Sequence, residues 1–374
     1  MKKICIIVST PMTVKAFLLK HIEELSKNYE VTVVSNSVLD LPKEYKAKIF
    51  SKEIPIERKI NLISDLKSIW LLCRFLKKEK FDLVLSVTPK AGLVTSISAY
   101  LAGVPNRMHF FTGQVWVTKK GLFRFLLKSI DKLIATLNTC NFIDSPSQKE
   151  FLIRENILCE QKAIVLLSGS ISGVDIKKFH YNDKLRGQLQ KKYKIHNSDI
   201  VFMFIGRLNI DKGILDLSTV FESLLEKYTN IKLFLIGPDE EDIERKISHL
   251  LEHPSVIRVD YVSDPQEILN VADILVLPSY REGFGTIVIE AASMGIPCIA
   301  SNIYGLKDAV IDGYTGLLHN VRDSKDMISK YEYVLKDRGK IKEYGENAKK
   351  RVYIEFQDEF LSKELKKKIE RLVE

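Results

Sequence analysis

A chain of 374 residues exceeds what one ordinary core encloses and suits two domains of about 150 to 200 residues each. Its 45% hydrophobic and 28% charged residues are an ordinary globular composition, and no stretch approaches the ~20 apolar residues of a membrane-spanning helix. The net charge of +9 is unevenly placed: residues 1–180 hold 28 Lys and Arg against 16 Asp and Glu, and the remainder 29 against 32. A basic half beside a nearly neutral one points to an anionic partner surface, membrane or nucleic acid, with a lysine-rich solubilising surface as the plainer reading. The five cysteines (Cys5, Cys73, Cys140, Cys159, Cys298) are scattered and form no C-x-x-C. They argue for a reducing compartment and against a disulfide framework or a zinc site.

The opening MKKICIIVSTPM imitates a signal peptide, but Ser9, Thr10 and Pro11 cut its apolar run short, which favours a first buried strand at 4–9. KAFLLKHIEELSKN, 15–28, has helical spacing with Phe17, Leu18, Ile22 and Leu25 on one side, and VTVVSN, 31–36, is a second strand. Strand, helix and strand at this spacing form a βαβ unit, so a parallel sheet is expected. The first turn, Thr10-Pro11-Met12-Thr13, lacks the G-x-G-x-x-G of a dinucleotide site.

An amphipathic helix is expected over 61–79, with Leu62, Leu66, Ile69, Trp70, Cys73 and Leu76 facing inward. DLVLSVTP, 82–89, is a strand followed by a helix through Ala102, and RMHFFTG, 107–113, is a strand that sets Thr112 and Gly113 at its carboxyl end. In KKGLFRFLLKSIDKLIATL, 119–137, Lys120, Arg124, Lys128 and Lys132 recur every four residues among leucines, isoleucines and phenylalanines. Such a basic amphipathic helix can lie in the headgroups of an anionic bilayer; packing of its apolar face on the sheet is the alternative. In NFIDSPSQKEFLI, 141–153, Ser145 or Ser147 is placed to cap a helix.

The composition shifts after AIVLLSGSISGVDIKKF, 163–179, and the expected division is 1–178, 179–355 and a closing helix, 356–374, returning to the first domain. The second half restarts the alternation: strands at 199–208, 231–238, 256–262, 272–279 and 297–301, with helical segments between. The fold class is therefore α/β, two doubly wound Rossmann-like domains.

Chemistry concentrates in PSYREGFGTIVIEAASMGIPCIAS, 278–301, which passes from a strand through a Gly-Phe-Gly turn into a helix. At the carboxyl end of such a strand a helix N-terminus offers unpaired N–H groups to an anion. Glu282 and Glu290 make an E-x7-E pair around that turn, while Gly206-Arg207 and Asp211-Lys212-Gly213 follow the first strand of the same half. Arginine and lysine together can neutralise a pyrophosphate, and so a phosphorylated, hydroxyl-rich ligand fits. No two aspartates stand two positions apart, so there is no D-x-D metal motif; Asp239, Glu240, Glu241 and Asp242 read as a charged first helical turn.

FIGRLNIDKG, ADILVLPSYREGFGTIVIEAASMGIPCIAS, IYGLKDAVIDGYTGLL and GVDIKKF together resemble the retaining glycosyltransferases of family 4, over nearly the whole chain. VTPKAGLVTSISAYLAGVPNRMHFFTGQVW and SGSISGVDIKKF resemble a bacterial subgroup that builds O-antigen, capsule or other surface polysaccharide. The resemblance implies the GT-B architecture, two domains facing across a cleft, and transfer of a hexose or N-acetylhexosamine from a UDP-sugar to an undecaprenyl-diphosphate-linked saccharide. It further implies retention of configuration, no metal or other cofactor, and a cytoplasmic protein peripheral to the inner face of the plasma membrane.

Residue by residue, the resemblance gives Arg207, with Gly206, and Lys212 the donor diphosphate, and Glu290 the ribose hydroxyls. It sets Glu282 against the donor sugar, with the backbone of Gly283, Phe284, Gly285 and Thr286 around sugar and phosphates. Family members carry a His-Gly or similar pair after the fourth strand of the first domain. Here Thr112-Gly113 holds that place, with His109 three residues earlier, and both His109 and Thr112 are catalytic candidates. Strand alternation points those two side chains to opposite faces. Two other classes remain to be weighed: a UDP-sugar epimerase of the same fold, which would turn over a UDP-sugar alone, and a basic nucleic-acid binder, which would need aromatics interleaved along its groove.

Overall fold

Runs such as Ile4–Ile7 and Ile200–Ile205 have no polar face, and a strand of that kind is stable only where helices cover both sides of a parallel sheet. The computed structural model, which describes residues 1–41, 49–57 and 61–373, contains two such sheets. The chain divides into two units, Met1–Gly173 with Asp358–Glu374, and Val174–Gln357.

In the first unit, β1 (Lys3–Ile7), β2 (Glu30–Ser35), β3 (Ile49–Glu53), β4 (Leu83–Val87), β5 (Asn106–Phe111), β6 (Cys140–Ile143) and β7 (Ala163–Val165) pair in the order β3-β2-β1-β4-β5-β6-β7. In the second, β8 (Ile200–Ile205), β9 (Ile231–Ile236), β10 (Val256–Val259), β11 (Ile274–Leu277), β12 (Cys298–Ser301) and β13 (Gly316–His319) pair as β10-β9-β8-β11-β12-β13. Each sheet thus reverses direction between its first strand and the next one on the other side, at β1/β4 and β8/β11. In an open parallel sheet ligands bind outside the carboxyl ends at that reversal.

Val174 and Phe179 belong to the second core, so the chain enters that unit a few residues before the expected boundary. The helix Asp358–Val373 buries Leu365 and Ile369 in the first core beside Leu18 and Ile22, and Lys366 reaches Glu24 at 3.4 Å.

The helix Leu62–Glu79 forms where expected, with Leu76 buried and Ile69 packed on the core as its spacing implies, but its first half is turned differently. Leu62, Leu66 and Trp70 are exposed, while Asp65, Ser68, Leu72 and Leu76 are buried. The reason is polar: Asp65 pairs with Lys90, and Ser68 donates to Pro55 O at 2.6 Å. Two satisfied polar groups occupy the inward face of the first turns in place of Leu62 and Leu66, an arrangement that hydrophobic spacing cannot register.

Candidate active site

Gly206 and Arg207 follow β8, and Asn209 caps the short turn Ile210–Lys212 by accepting from Lys212 N at 3.1 Å. Across the reversal, β11 ends at Leu277 and runs through Ser279–Gly285 into the helix Thr286–Ser293. Gly213 joins the two segments. Its φ is +70°, and a Cβ there would stand 2.1 Å from Pro278 O, so no other residue lets the loops meet. Tyr280 N then donates to Asp211 O at 2.8 Å, and Arg281 Nε meets Asp211 Oδ2 at 2.7 Å. Gly213→Ala is expected to cost roughly 2–4 kcal/mol, from left-handed backbone plus the clash, measured by denaturant unfolding.

Contact brings Lys212 and Glu282 together: the Lys212 ammonium bonds Glu282 Oε1, which also accepts from Ser279 Oγ at 2.9 Å. Both side chains are mostly enclosed. Arg207 lies further out, its guanidinium 2.6 Å from Glu240 Oε2. The neighbouring acids are likewise engaged: Asp239 accepts from the backbone N–H of Glu241, Ile243 and Glu244, and Glu241 from Ile210 N at 2.9 Å. The cluster 239–242 is thus a cap and a pair of loop ties.

Gly285 is the N-cap of Thr286–Ser293; its carbonyl accepts from Val288 N at 2.8 Å, and the N–H groups of Thr286 and Ile287 have no intrahelical acceptor by position. Gly305, at φ +83°, allows the next loop to lie against this turn, since a Cβ would come within 2.4 Å of Gly283 O. Phe284 is fully buried, its ring 5.3 Å from that of Phe356, so only its backbone faces the turn. Glu290, on the second turn, is half-buried, and burial pushes its carboxyl up to about 7, with Lys178 pulling the other way.

In the first unit, His109 and Thr112 separate as strand alternation dictates. His109 is 1% exposed, its Nδ1 is 2.9 Å from Ser86 Oγ, and burial lowers its pKa to about 3. As placed, it is a packed, satisfied histidine rather than a group presented to a ligand. Thr112 is half-buried at the end of β5, and its carbonyl accepts from Gln114 Nε2 at 2.7 Å and Gln148 Nε2 at 2.8 Å. These two glutamines, which spacing alone did not single out, hold the Thr112-Gly113 turn in place. Ser145 caps the helix that carries Gln148.

Residues 3–137 match the family model described as glycosyl transferase 4-like, and residues 186–351 that of glycosyl transferases group 1. The capsular polysaccharide biosynthesis glycosyltransferase CapM of Staphylococcus aureus is 35% identical over 343 residues, covering 91% of this chain and 89% of that protein. The chain belongs to this glycosyltransferase family. The UDP-Gal:alpha-D-GlcNAc-diphosphoundecaprenol alpha-1,3-galactosyltransferase of Escherichia coli is 29% identical over 288 residues, 75% of this chain and 73% of that protein. Among solved structures, sucrose-phosphate synthase from Thermosynechococcus elongatus superposes with a TM-score of 0.83 at 19% identity, covering 100% of this chain and 99% of the other. That likeness is one of fold, and it places the glycosyltransferase in the GT-B class.

Proposed function

We propose that this glycosyltransferase is a retaining enzyme of surface-polysaccharide assembly, transferring a hexose or N-acetylhexosamine from a UDP-sugar to an undecaprenyl-diphosphate-linked saccharide. The observation that carries the reading is the joining of the Arg207–Gly213 loop to the Ser279–Thr286 turn at the β8/β11 reversal. It sets two cations, an acid and a helix N-terminus on one carboxyl edge. Arg207 and Lys212 take the diphosphate and stabilise the charge that grows as its bond to the sugar breaks. Glu282 receives donor-sugar hydroxyls, Glu290 those of the ribose, and the leaving phosphate, held by these cations, helps deprotonate the acceptor from the same face. Cations and a helix dipole do the work of a divalent ion. The donor and acceptor classes are supported by the name of the E. coli relative, and the pathway by that of the staphylococcal one.

The acceptor lies at a membrane, and among the described residues no helix is long and apolar enough to cross one. Peripheral attachment through the helix Gly121–Leu137, on the cytoplasmic side, fits its exposed Leu122, Phe125 and Leu126.

The test is a panel of UDP-sugars screened for thermal stabilisation in EDTA, followed by transfer to a lipid-diphosphate saccharide and assignment of the product anomer. The matching donor, at about a hundred times its Kd, is expected to stabilise the fold by about 2.7 kcal/mol. The product should keep the donor's configuration. An inverted product, or a strict need for a divalent ion, would sink the corresponding part.

A further inference from the structure

The helix Leu62–Glu79 turns a stripe of apolar side chains to solvent: Leu62, Ile63 and Leu66 are exposed, and Trp70 is 55% exposed. At i, i+4 and i+8 the stripe lies along one line of the helix. Its opposite face is already satisfied by the sheet, Lys90 and Pro55, so the stripe is not a core face left open. Beside it, the helix Pro89–Ala102 carries a single charge, Lys90, engaged by Asp65, and leaves Tyr100 and Leu101 exposed.

Beyond that lies Gly121–Leu137, pinned by its inner side. Trp116, 1% exposed, donates from Nε1 to Asp131 Oδ2 at 2.7 Å, and Lys128 bonds Glu155 at 2.7 Å. The charges read as a basic face thus partly turn inward, and the outward line is Leu122, Phe125, Leu126, Ser129 and Leu133. The three helices lie side by side: Ser98 Oγ donates to Ile69 O at 3.1 Å, and Asn138 Nδ2 to Ser96 Oγ at 3.0 Å. Leu62–Glu79 crosses from β3 to β4, and the other two join the neighbours β4–β5 and β5–β6; all are crossovers of one parallel sheet, so they run the same way and their N-terminal halves share an end.

We propose that this whole helical layer, rather than one helix, is the face that meets an anionic lipid bilayer, with the Trp70 helix as a second foot. The inference rests on the peripheral attachment proposed above and extends it. Charge selects the occupant. The acids of the three helices are Asp65, Glu79 and Asp131, and two of these are buried; Lys67, Arg74, Lys77, Lys78 and Lys132 are exposed around the apolar groups. Cations around exposed leucines and an indole suit phospholipid headgroups over acyl chains. Arg74 stacks on Trp70, its guanidinium carbon 4.9 Å from the ring centre, which keeps the charge at the level of the ring. A second copy of the chain fits poorly, because a two-fold contact would set these cations against themselves.

The protein has two tryptophans, and Trp116 is shielded, so Trp70 reports on its own surroundings. Full-length protein is mixed with vesicles of phosphatidylcholine containing about one third phosphatidylglycerol, and binding is read by flotation and emission. The expected result is a blue shift that iodide no longer quenches, absent in a Trp70→Phe protein that still floats. Ile63→Asp with Leu66→Asp should lower vesicle partition at least about tenfold while its melting curve stays unchanged, since both side chains are exposed. Protein that floats while Trp70 emission stays unshifted and quenchable overturns the second foot and leaves attachment through Gly121–Leu137 standing. Protein that does not float overturns both, whereas sugar transfer to a detergent-dispersed acceptor tests the enzymatic reading separately. A Trp70 shift that follows protein concentration without vesicles assigns the face to self-association and overturns the proposal.

Discussion

Alanine at Lys212 is expected to lower kcat/KM for sugar transfer by about 10²–10³-fold, the usual effect of deleting one preorganised donor to developing negative charge. Arg207→Ala should fall in the same direction by less, because Arg207 is the more exposed of the two. The ammonium of Lys212 bonds Glu282, which keeps Ser279 as a partner when the lysine is removed, so the fold should survive. Steady-state kinetics with the matched UDP-sugar, beside a circular-dichroism melt, give the answer. Wild-type rates in Lys212→Ala would remove it from the diphosphate site.

Glu290→Gln is expected to do two opposite things. Ribose hydroxyls donate better to a carboxylate than to a carboxyl, and burial holds this group near 7. Nucleotide affinity of the wild-type protein should therefore weaken as pH falls from 8 to 6, by up to about tenfold per unit below 7, and lose that dependence in the Gln variant. Stability moves the other way. An unfolded glutamate ionises near its ordinary value of 4.5, the folded one near 7, so the folded state binds the proton more tightly. The contribution is fully present below 4.5 and is lost as pH rises through 7. Gln at 290 removes this penalty, so its melting temperature should exceed that of wild type at pH 8 and converge with it near pH 4. Calorimetric titration with UDP and paired melts separate the two effects; parity at every pH in both would exclude Glu290 from the nucleotide site.

What the sequence made legible was whatever is local. The strand, Gly-Phe-Gly turn and helix around Glu282 carry their signals within 24 residues, and the β8 loop with Lys212 carries its own. What joins them is not local. The Gly213 approach to Pro278, the Asp211–Arg281 pair and the Glu240–Arg207 pair link positions far apart in the chain, and each reads on its own as an ordinary glycine or a solvated charge. The outward turn of Leu62, Leu66 and Trp70 was not legible for a different reason. Buried Asp65 and Ser68 are paid for by hydrogen bonds to Lys90 and Pro55, partners that periodicity does not contain. His109 shows the same limit, since Ser86 satisfies it from the adjoining strand β4.

The pairing of Lys212 with Glu282 and of Arg207 with Glu240 bears on turnover. A site whose cations already hold acids does not gain two bare charge contacts when a diphosphate enters; it trades one set of partners for another. The gain on binding is smaller for that reason, and so is the barrier to leaving. If Lys212 and Arg207 hold a nucleoside diphosphate as proposed, the same carboxylates would compete to recapture them once the sugar has moved. On the proposed function, Glu240 and Glu282 would then help displace the product and reset the enzyme for the next donor.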